Sequence, residues 1–456
     1  MAVFVFFLLF NSFFLGQDGD AYYYWSWGQH LAWGYLDGPP LVAYVMRGFS
    51  DIFGNNLFAI NFFAICTTLG ACFFVYKVVN CLTNDQRMGW TAALLWLITS
   101  SRLLKNATYN NVEQLFWIAS LFFILDYLKT RANRNLYWAS ISLSLLCLSK
   151  YSGFILLLGV FSFFLYETDE RAIFKNKHLY LGGLLFVLIL SPHLVWNATH
   201  HWETFIFQSH AHPRWASSPW GSMFNYLSDV IGHYAYPLAL LTYLIIKHPL
   251  VKEENSAWRL LWHTTLVLLF FWLYFSYANK VHHSYLQALN LLLSSLLAYY
   301  LIKFQYVRTL WFTIFIYFIG SVAVLLRQDL ADKPQQYDLQ LLRAFSQHYL
   351  RDAHQQVVAG NDFQMLSKLL LLHPLGIVSS TPLCDVNVNQ FRDWNIDFQQ
   401  ALKTHHIDKI YYVDIVDKPQ CIRPYFKKCT SLPTLEYISP HQHKTLGHLY
   451  VYQCQN

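Results

Sequence analysis

The chain has 456 residues, of which 55% are hydrophobic and only 13% are charged, with a formal net charge of +6. So little polar surface excludes a soluble globular protein of this size and indicates an integral membrane protein. Lys and Arg are scattered between apolar segments, so the positive charge indicates membrane topology and contact with anionic lipid rather than nucleic-acid binding.

Apolar segments recur from the first residue to about residue 326. A membrane helix needs roughly 20 apolar residues to cross a hydrocarbon core of about 30 Å. The pattern predicts about eleven such helices, over residues 1–16, 57–81, 90–104, 113–128, 136–149, 152–166, 179–196, 223–246, 260–278, 284–302 and 308–326. The first segment lacks a basic start and a small-residue cleavage site, so we interpret it as a membrane helix and not as a signal peptide.

The loops between these segments differ in positive charge. One set is rich in Lys and Arg, with Lys77, Arg87, Lys129, Arg131, Arg134, Arg171, Lys175, Lys177, Lys247, Lys252, Arg259, Lys303 and Arg308. Positive loops stay in the cytoplasm, so this set is predicted to lie inside. The long loop over residues 17–56 then lies outside, and an odd number of helices places the C-terminal region on the same outer side.

The composition changes after about residue 327, where Gln, Asp, His and Lys replace the apolar runs. We predict a membrane domain over 1–326 and a separate soluble domain over 327–456. Helical spacing at Leu339–His348 precedes four short β-like runs, which are typical of a small α/β fold. These runs are 356–359, 376–378, 409–413 and 448–452.

Four cysteines fall in the predicted outer domain: Cys384, Cys421, Cys429 and Cys454. In an oxidising compartment they allow two disulfides in three connectivities, and the close pair Cys421 and Cys429 is the first expectation. Four unpaired thiols fit the sequence equally well, because no spacing here matches a zinc site.

The outer loop 17–56 is the most informative stretch. Its aromatic halves, 21–31 and 41–53, predict two helices lying at the membrane interface, separated by a break that ends at Pro40. Asp20 and Asp37 each precede one of these helices. A carboxylate at this depth is costly unless it has a partner or a function, so each is either a helix cap or a site residue.

Several motifs in this chain resemble those of bacterial glycosyltransferases that use a polyprenyl-phosphate sugar. The motifs are Asp20-Ala-Tyr-Tyr-Tyr-Trp-Ser-Trp-Gly-Gln-His-Leu, Gly34-Tyr-Leu-Asp-Gly-Pro-Pro-Leu, Leu148-Ser-Lys-Tyr-Ser and Ser191-Pro-His-Leu-Val-Trp-Asn, with a weaker match at Asn389-Gln-Phe-Arg-Asp-Trp. These are membrane enzymes of the GT-C type, related to protein O-mannosyltransferases and to the aminoarabinose transferase of lipid A. The resemblance implies a polytopic helical GT-C membrane domain and a periplasmic α/β domain in a bacterial inner membrane.

The resemblance also implies roles for individual residues. Asp20 is the expected general base, or the carboxylate that orients the acceptor. Lys150 is the leading candidate to meet the donor phosphate, although an amine at this depth can also simply reach the headgroups. Tyr151 and Arg47 are expected beside Lys150 at the donor phosphate, and the further candidates for this phosphate contact are Arg102, Lys105 and Arg214. The residues expected around the acceptor are Asp37, Tyr23, Trp27, Asn110 and Glu113.

Two positions depart from the family. Relatives often have a second Asp where this chain has the stretch 107–113, with Asn110 and Glu113, and they commonly have His or Lys where it has Gly38. An amide can orient an acceptor hydroxyl but cannot take its proton. A divalent metal at Asp37 and His201 is a further hypothesis, since such an ion screens phosphate; loop polarity explains the outer histidines as well.

The expected partners are therefore a polyprenyl-phosphate sugar, a lipid, glycan or protein acceptor, and membrane lipid. Two other functions remain open: a flippase for lipid-linked saccharides, and a family member that binds such lipids without turnover. Candidate site residues collect on one side of the membrane, and the sequence has no inverted repeat of the transporter type, which favours the enzyme.

Overall fold

The computed structural model describes residues 17, 19–104, 106–210, 218–249, 256–279, 281, 283–286, 289–330, 334–350, 357–360, 362–372, 377–380, 409–414, 417, 422, 426–438 and 445–455. This part of the chain is mostly helical and ends in a mixed sheet. The predicted helix over 1–16 and the motif at 389–394 lie outside the described residues.

Two short helices form the first loop, as the sequence predicts. α1 spans Gly19–Gln29 and α2 spans Leu41–Phe53. Pro40 occupies the N-cap of α2, and Gly54, with φ 86°, follows its last turn. The side chain of Gln17 ties the start of the loop to the bundle, because it donates to Asn61 Oδ1 at 2.7 Å and accepts from the Ala107 amide at 2.9 Å.

The helical bundle follows this loop. Its helices are α3 Leu57–Thr83, α4 Gln86–Thr99, α5 Tyr109–Thr130, α6 Arg134–Ser149, α7 Gly153–Tyr166, α8 Lys177–Thr199, α9 Glu203–His210, α10 Pro219–Lys247, α11 Ser256–Ser276, α12 Leu289–Lys303 and α13 Val307–Leu330. Three 3-10 segments, Ser101–Leu104, Thr168–Lys175 and His283–Leu286, lie between them. Each apolar segment predicted between residues 57 and 326 overlaps one of these helices, but the predicted segments 90–104 and 284–302 extend beyond α4 and α12 into 3-10 segments.

Within the described residues, five helices are long and apolar enough to cross a membrane, namely α3, α5, α8, α10 and α11. Shorter apolar helices are α7, α12 and the first part of α13. α8 exposes several large apolar side chains, among them Leu184, Leu188 and Val195. Such a face suits hydrocarbon rather than water, so the chain is a polytopic helical membrane protein.

Local sequence explains where the helices begin and end. Asn56, Asp85 and Thr108 cap α3, α4 and α5 by accepting a backbone N–H in the first turn. Asn84 and Arg131 end α3 and α5 in the left-handed region, with φ 54° and 55°. These helices therefore begin or end where polar residues bind the backbone groups that have no partner within the helix.

The C-terminal elements are α14 Pro334–Tyr349, β1 Val357–Gly360, α15 Phe363–Leu372, β2 Ile377–Ser380, β3 Lys409–Asp414, β4 Lys428–Ser431, β5 Leu435–Ile438 and β6 Thr445–Gln455. The sheet order is β2-β1-β3-β6-β4, with β5 also paired to β6. β1 is parallel to β2 and β3, whereas the pairs of β6 are antiparallel. The four predicted runs overlap β1, β2, β3 and β6, but β4 and β5 were not predicted. β4 is mostly exposed and its residues, Lys-Cys-Thr-Ser, form no apolar run.

The expected disulfide between Cys421 and Cys429 is wrong, because Cys429 is bonded to Cys454. The register of β4 and β6 places these two residues directly opposite each other, with their Cα atoms 4.1 Å apart. Cys421 and Cys384 lie outside the described residues. The disulfide therefore joins cysteines that are adjacent across the sheet, and not the cysteines that are closest in sequence.

Candidate active site

Asp20 lies in the first turn of α1 and is partly buried. Its Oδ1 accepts a hydrogen bond of 2.8 Å from Nε2 of Gln364, which belongs to α15. Tyr24 lies one turn further along α1, on the same face as Asp20. The Tyr24 ring is buried and meets the ring of Tyr109, at the start of α5, edge to face with centroids 5.0 Å apart.

The pKa of the Tyr24 phenol depends on its burial and on the charges near it. Burial raises its pKa well above the usual value, and Tyr109, Asp20 and Asp37 raise it further. Two carboxylates on the first loop thus act on one buried phenol. Tyr23, which is hydrogen-bonded to Asp37, lies against Tyr24 with ring centroids 5.8 Å apart, so Asp37 is linked to the aromatic pair formed by Tyr24 and Tyr109.

Asp37 lies in a tight turn closed by two backbone hydrogen bonds between Tyr35 and Gly38. Tyr23 donates to Asp37 Oδ2 at 2.6 Å. The turn is held from outside by α9, since Thr204 donates to the Tyr35 carbonyl at 2.8 Å and Gln208 donates to the carbonyl of Asp37. The N-cap of α2 is occupied by Pro40, and Asp37 is held within the loop instead.

Lys150 lies at the end of α6 within a cluster of polar and aromatic groups. Its Nζ lies 3.0 Å from Asn110 Oδ1 and 3.4 Å from Glu113 Oε2, both on α5. The same ammonium lies 4.9 Å from the ring centroid of Tyr109 and 4.8 Å from that of Tyr285. Only 17% of the Lys150 side chain is exposed, so its charge is stabilised by these partners more than by solvation in bulk water.

Glu113 is fully engaged in this cluster. Its other carboxylate oxygen accepts a hydrogen bond from Ser152, and the side chain is 7% exposed. Both carboxylate oxygens of Glu113 are occupied, one by the Lys150 ammonium and one by the Ser152 hydroxyl, so this side chain is placed to orient Lys150. Tyr285 also responds to this cluster: its pKa rises to about 12, chiefly through burial, with Tyr109 and Glu113 raising it and Lys150 lowering it.

His193 of α8 links the first loop to the neighbour of Lys150. Its Nδ1 lies 2.8 Å from the Trp33 carbonyl, and its Nε2 lies 2.9 Å from the hydroxyl of Tyr151. Because a carbonyl only accepts, Nδ1 carries the proton and Nε2 accepts from Tyr151. Burial raises the pKa of Tyr151, so its hydroxyl keeps the proton that it donates.

Of the other predicted residues, Trp27 packs edge to face on Tyr24 with ring centroids 4.9 Å apart, whereas Arg47 has a partner on its own helix. Arg47 pairs with Asp51 on the exposed side of α2, at 2.7 Å, and also contacts the Gly28 carbonyl. Trp27 is buried and stacks on Tyr35 with centroids 4.3 Å apart, a packing contact. Arg102 is exposed in a 3-10 segment, while Lys105 and Arg214 lie outside the described residues.

The metal hypothesis receives no support from the geometry. His201 is exposed at the end of α8, and the Asp37 carboxylate faces Tyr23. Across the part of the chain that the structure describes, no group of three or more His, Cys, Asp or Glu side chains is arranged to hold a metal ion.

Sequence reasoning did not single out Gln364, Tyr24, Tyr109, His193 or Tyr285. His193 carried a usable signal, because an ionisable residue inside an apolar segment usually has a function or a specific partner. Gln364 carried none, since a glutamine in a polar domain is unremarkable.

Comparison with known proteins finds similarity to one family model, to one curated protein and to solved structures. Residues 37–196 match the family model described as dolichyl-phosphate-mannose-protein mannosyltransferase. The chain is 24% identical over 186 residues to lipid A galacturonosyltransferase RgtD of Rhizobium johnstonii (strain DSM 114642 / LMG 32736 / 3841), which is 40% of this chain and 38% of that protein. The chain thus matches less than half the length of this curated relative.

Two solved structures are similar over nearly the whole chain. They are ArnT from Cupriavidus metallidurans in the apo state, with a TM-score of 0.68, and the same protein bound to undecaprenyl phosphate, with a TM-score of 0.69. In both cases the identity is 14%, and the match covers 99% of this chain and 97% of ArnT. These matches show that the chain shares the fold of ArnT.

Proposed function

We propose that this protein transfers a sugar from a polyprenyl-phosphate carrier to an acceptor hydroxyl of a lipid, glycan or protein at the periplasmic face of a bacterial inner membrane. One observation carries the proposal. Asp20 lies one turn before Tyr24 on α1, the Tyr24 ring contacts the Tyr109 ring, and the largely buried Lys150 ammonium lies 4.9 Å from the centroid of the Tyr109 ring. Sugar transfer from a lipid phosphate needs these two charges at one place.

Asp20 supplies the base. An acceptor hydroxyl hydrogen-bonded to its carboxylate loses its proton to Asp20 while the acceptor oxygen forms a bond to the anomeric carbon. The bond between that carbon and the phosphate oxygen breaks at the same time, and its electron pair leaves with the polyprenyl phosphate. The proton stays on Asp20 until it is released to solvent.

Lys150 meets the charge that develops on the leaving phosphate. A pre-oriented ammonium in a partly dehydrated site stabilises such charge more than it would in water, without reorganising during the reaction. Asn110 and Glu113 hold the ammonium in place, and the rings of Tyr109 and Tyr285 restrict where it can move. Tyr151, next in sequence, is fixed by His193 and lines the same region.

The named activities of similar proteins support the lipid-linked donor. ArnT shares the fold and has been seen with undecaprenyl phosphate, and RgtD is named for transfer of a sugar to lipid A. The distribution of Lys and Arg among the loops supports the periplasmic location, because positively charged loops tend to stay in the cytoplasm and the first loop is not among them.

The test supplies labelled undecaprenyl-phosphate sugars, including mannose and galacturonic acid, with lipid A to proteoliposomes that contain the protein. We expect a labelled lipid product from at least one donor. A fluorescent undecaprenyl-phosphate sugar, followed across the bilayer in parallel, distinguishes the flippase. Movement of the lipid between leaflets with no glycosylated product, across lipid, glycan and protein acceptors, would contradict the proposal.

A further inference from the structure

α15 of the C-terminal domain lies directly on α1 at Asp20. The hydrogen bond between Gln364 and Asp20 joins residues separated by 344 positions in the sequence. The approach depends on Gly19, because a Cβ at that position would lie 2.2 Å from Gln364 Oε1 and 2.8 Å from Gln364 Cβ. A residue without a side chain therefore stands next to Asp20 where the two domains meet.

The position of Gln364 is fixed by its own helix. Asp362 accepts hydrogen bonds from the Gln364 and Met365 amides, at 2.8 and 3.0 Å, and so caps α15. Leu366 is buried in the aromatic cluster of the first loop, whereas Met365 and Leu369 are buried in the core of the C-terminal domain. α15 is thus packed on both sides, which holds the amide of Gln364 at the carboxylate.

We infer that Gln364 is a positioning residue for Asp20, and that α15 completes the active site from the C-terminal domain. The inference rests on the proposed function. An amide N–H that binds one oxygen of the carboxylate restricts the orientation of the carboxylate plane.

The chemical type of residue 364 agrees with this role. Lysine or arginine at the same distance would lower the pKa of Asp20 and weaken it as a base. Glutamine orients the carboxylate without adding a charge. Orientation without neutralisation is what a general base requires.

Other titratable groups lie on the first loop and on α5 and α15. Tyr23 and Tyr24 lie on α1, Asp37 lies in the turn, Tyr109 lies on α5, and Lys368 is buried on α15 one turn after Gln364. All of them are unchanged in a variant at 364, so the pH profile of Gln364→Glu is compared with that of Gln364→Ala, which adds no charge.

The first experiment compares Gln364→Glu and Gln364→Ala with the wild type in sugar transfer across a range of pH. Gln364→Glu preserves shape but adds a carboxylate beside Asp20, so the acidic limb of kcat/KM should move upward by about one pH unit. Gln364→Ala should lower kcat about tenfold with little change in the donor KM, because the base loses its orientation.

Gln347→Glu is the matched control, since Gln347 is exposed on α14 of the same domain and gains the same charge. This variant should keep the wild-type profile. Loss of activity in Gln364→Glu without any shift of the acidic limb would overturn the inference, as would wild-type kinetics in both Gln364 variants. If the wild type itself transfers no sugar, the proposed function fails instead.

A second experiment tests the contact without using activity. Gly19→Cys is combined with Gln364→Cys, and a protease site is inserted at residues 331–333, between the two domains. A disulfide needs Cβ atoms about 3.5 to 4.5 Å apart, which a small shift of α15 allows. After cleavage, the two fragments should stay joined until a reductant is added. Gly19→Cys with Gln347→Cys should give separate fragments, and the same separation in the first pair would overturn the inference.

Discussion

The Lys150 ammonium and the Glu113 carboxylate lie 3.4 Å apart with side chains only 17% and 7% exposed. A buried charge of this kind is tolerated because its partner is present, and removing one member leaves the other uncompensated. The pair therefore has two separable consequences, one for stability and one for donor binding.

Replacement of Lys150 by Met should raise the donor KM at least about tenfold and reduce kcat, because the leaving phosphate loses its counter-charge. Lys150→Arg should retain part of the activity. Steady-state kinetics with an undecaprenyl-phosphate sugar provides the measurement. Lys247→Met serves as control, since Lys247 is exposed in the last turn of α10, and unchanged kinetics in Lys150→Met would exclude a phosphate role.

Glu113→Gln should lower the free energy of unfolding by up to about 3 kcal/mol, because it leaves the Lys150 charge without its ion pair. The double variant Glu113→Gln with Lys150→Met should recover part of this loss without recovering transfer. Thermal denaturation in detergent measures the first effect, and the transfer assay measures the second. Additive stability losses in the double variant would show that the two side chains do not interact.

The His193 link should matter for both folding and activity. His193→Phe removes the contacts to the Trp33 carbonyl and to the Tyr151 hydroxyl, so we expect stability to fall by about 1 to 3 kcal/mol and transfer to fall with it. His248→Phe is a matched control, because His248 also contacts a tyrosine hydroxyl, that of Tyr306 at 3.0 Å. This variant should lose stability but keep its transfer rate. Equal losses of transfer in both variants would refute a specific role for His193.

A methyl group at Gly34 should disturb the first loop. A Cβ there would lie 2.2 Å from the Trp196 ring, whereas one at Gly48, on α2, would meet nothing within 4 Å. Gly34→Ala should therefore reduce both thermal stability and transfer, and Gly48→Ala should leave both near the wild-type values. Wild-type behaviour in Gly34→Ala would show that the loop does not pack against α8 in this way.

The disulfide between Cys429 and Cys454 closes a sequence separation of 25 residues. A loop of this size gives about 3 kcal/mol of stabilisation to the C-terminal domain, so Cys429→Ser should unfold that domain at lower temperature. Non-reducing peptide mapping should recover 429 and 454 in one linked peptide. A linked peptide that joins Cys421 to Cys429 would contradict the arrangement.

The sequence was sufficient for the parts of the structure that depend on local pattern. Apolar length predicts the helices from Leu57 onward, and the aromatic loop predicts α1 and α2. It also selected Lys150, Asn110 and Glu113 one by one, and the structure brings these three together. Their contact follows from the packing of α5 against α6, and the periodicity of the sequence does not predict which helices pack together.

Contacts between distant segments could not be predicted in the same way. Gln364 reaches Asp20 only because α15 docks on α1, and Cys429 meets Cys454 only through the register of β4 and β6. Arg47 was predicted to contact the donor phosphate from its position in the loop. In the structure it pairs with Asp51, four positions away on the helix surface, a local contact that the prediction did not consider.

The central claim is that the Asp20 carboxylate takes the proton of the acceptor. The most direct measurement is the rate of sugar transfer by Asp20→Asn, which keeps the shape of the side chain and its contact with Gln364 but cannot act as a base. Asp51→Asn is the control, because Asp51 is an exposed carboxylate of the same loop. We predict that Asp20→Asn loses at least about a hundredfold in kcat while Asp51→Asn stays near the wild type; equal rates in Asp20→Asn and the wild type would contradict the account.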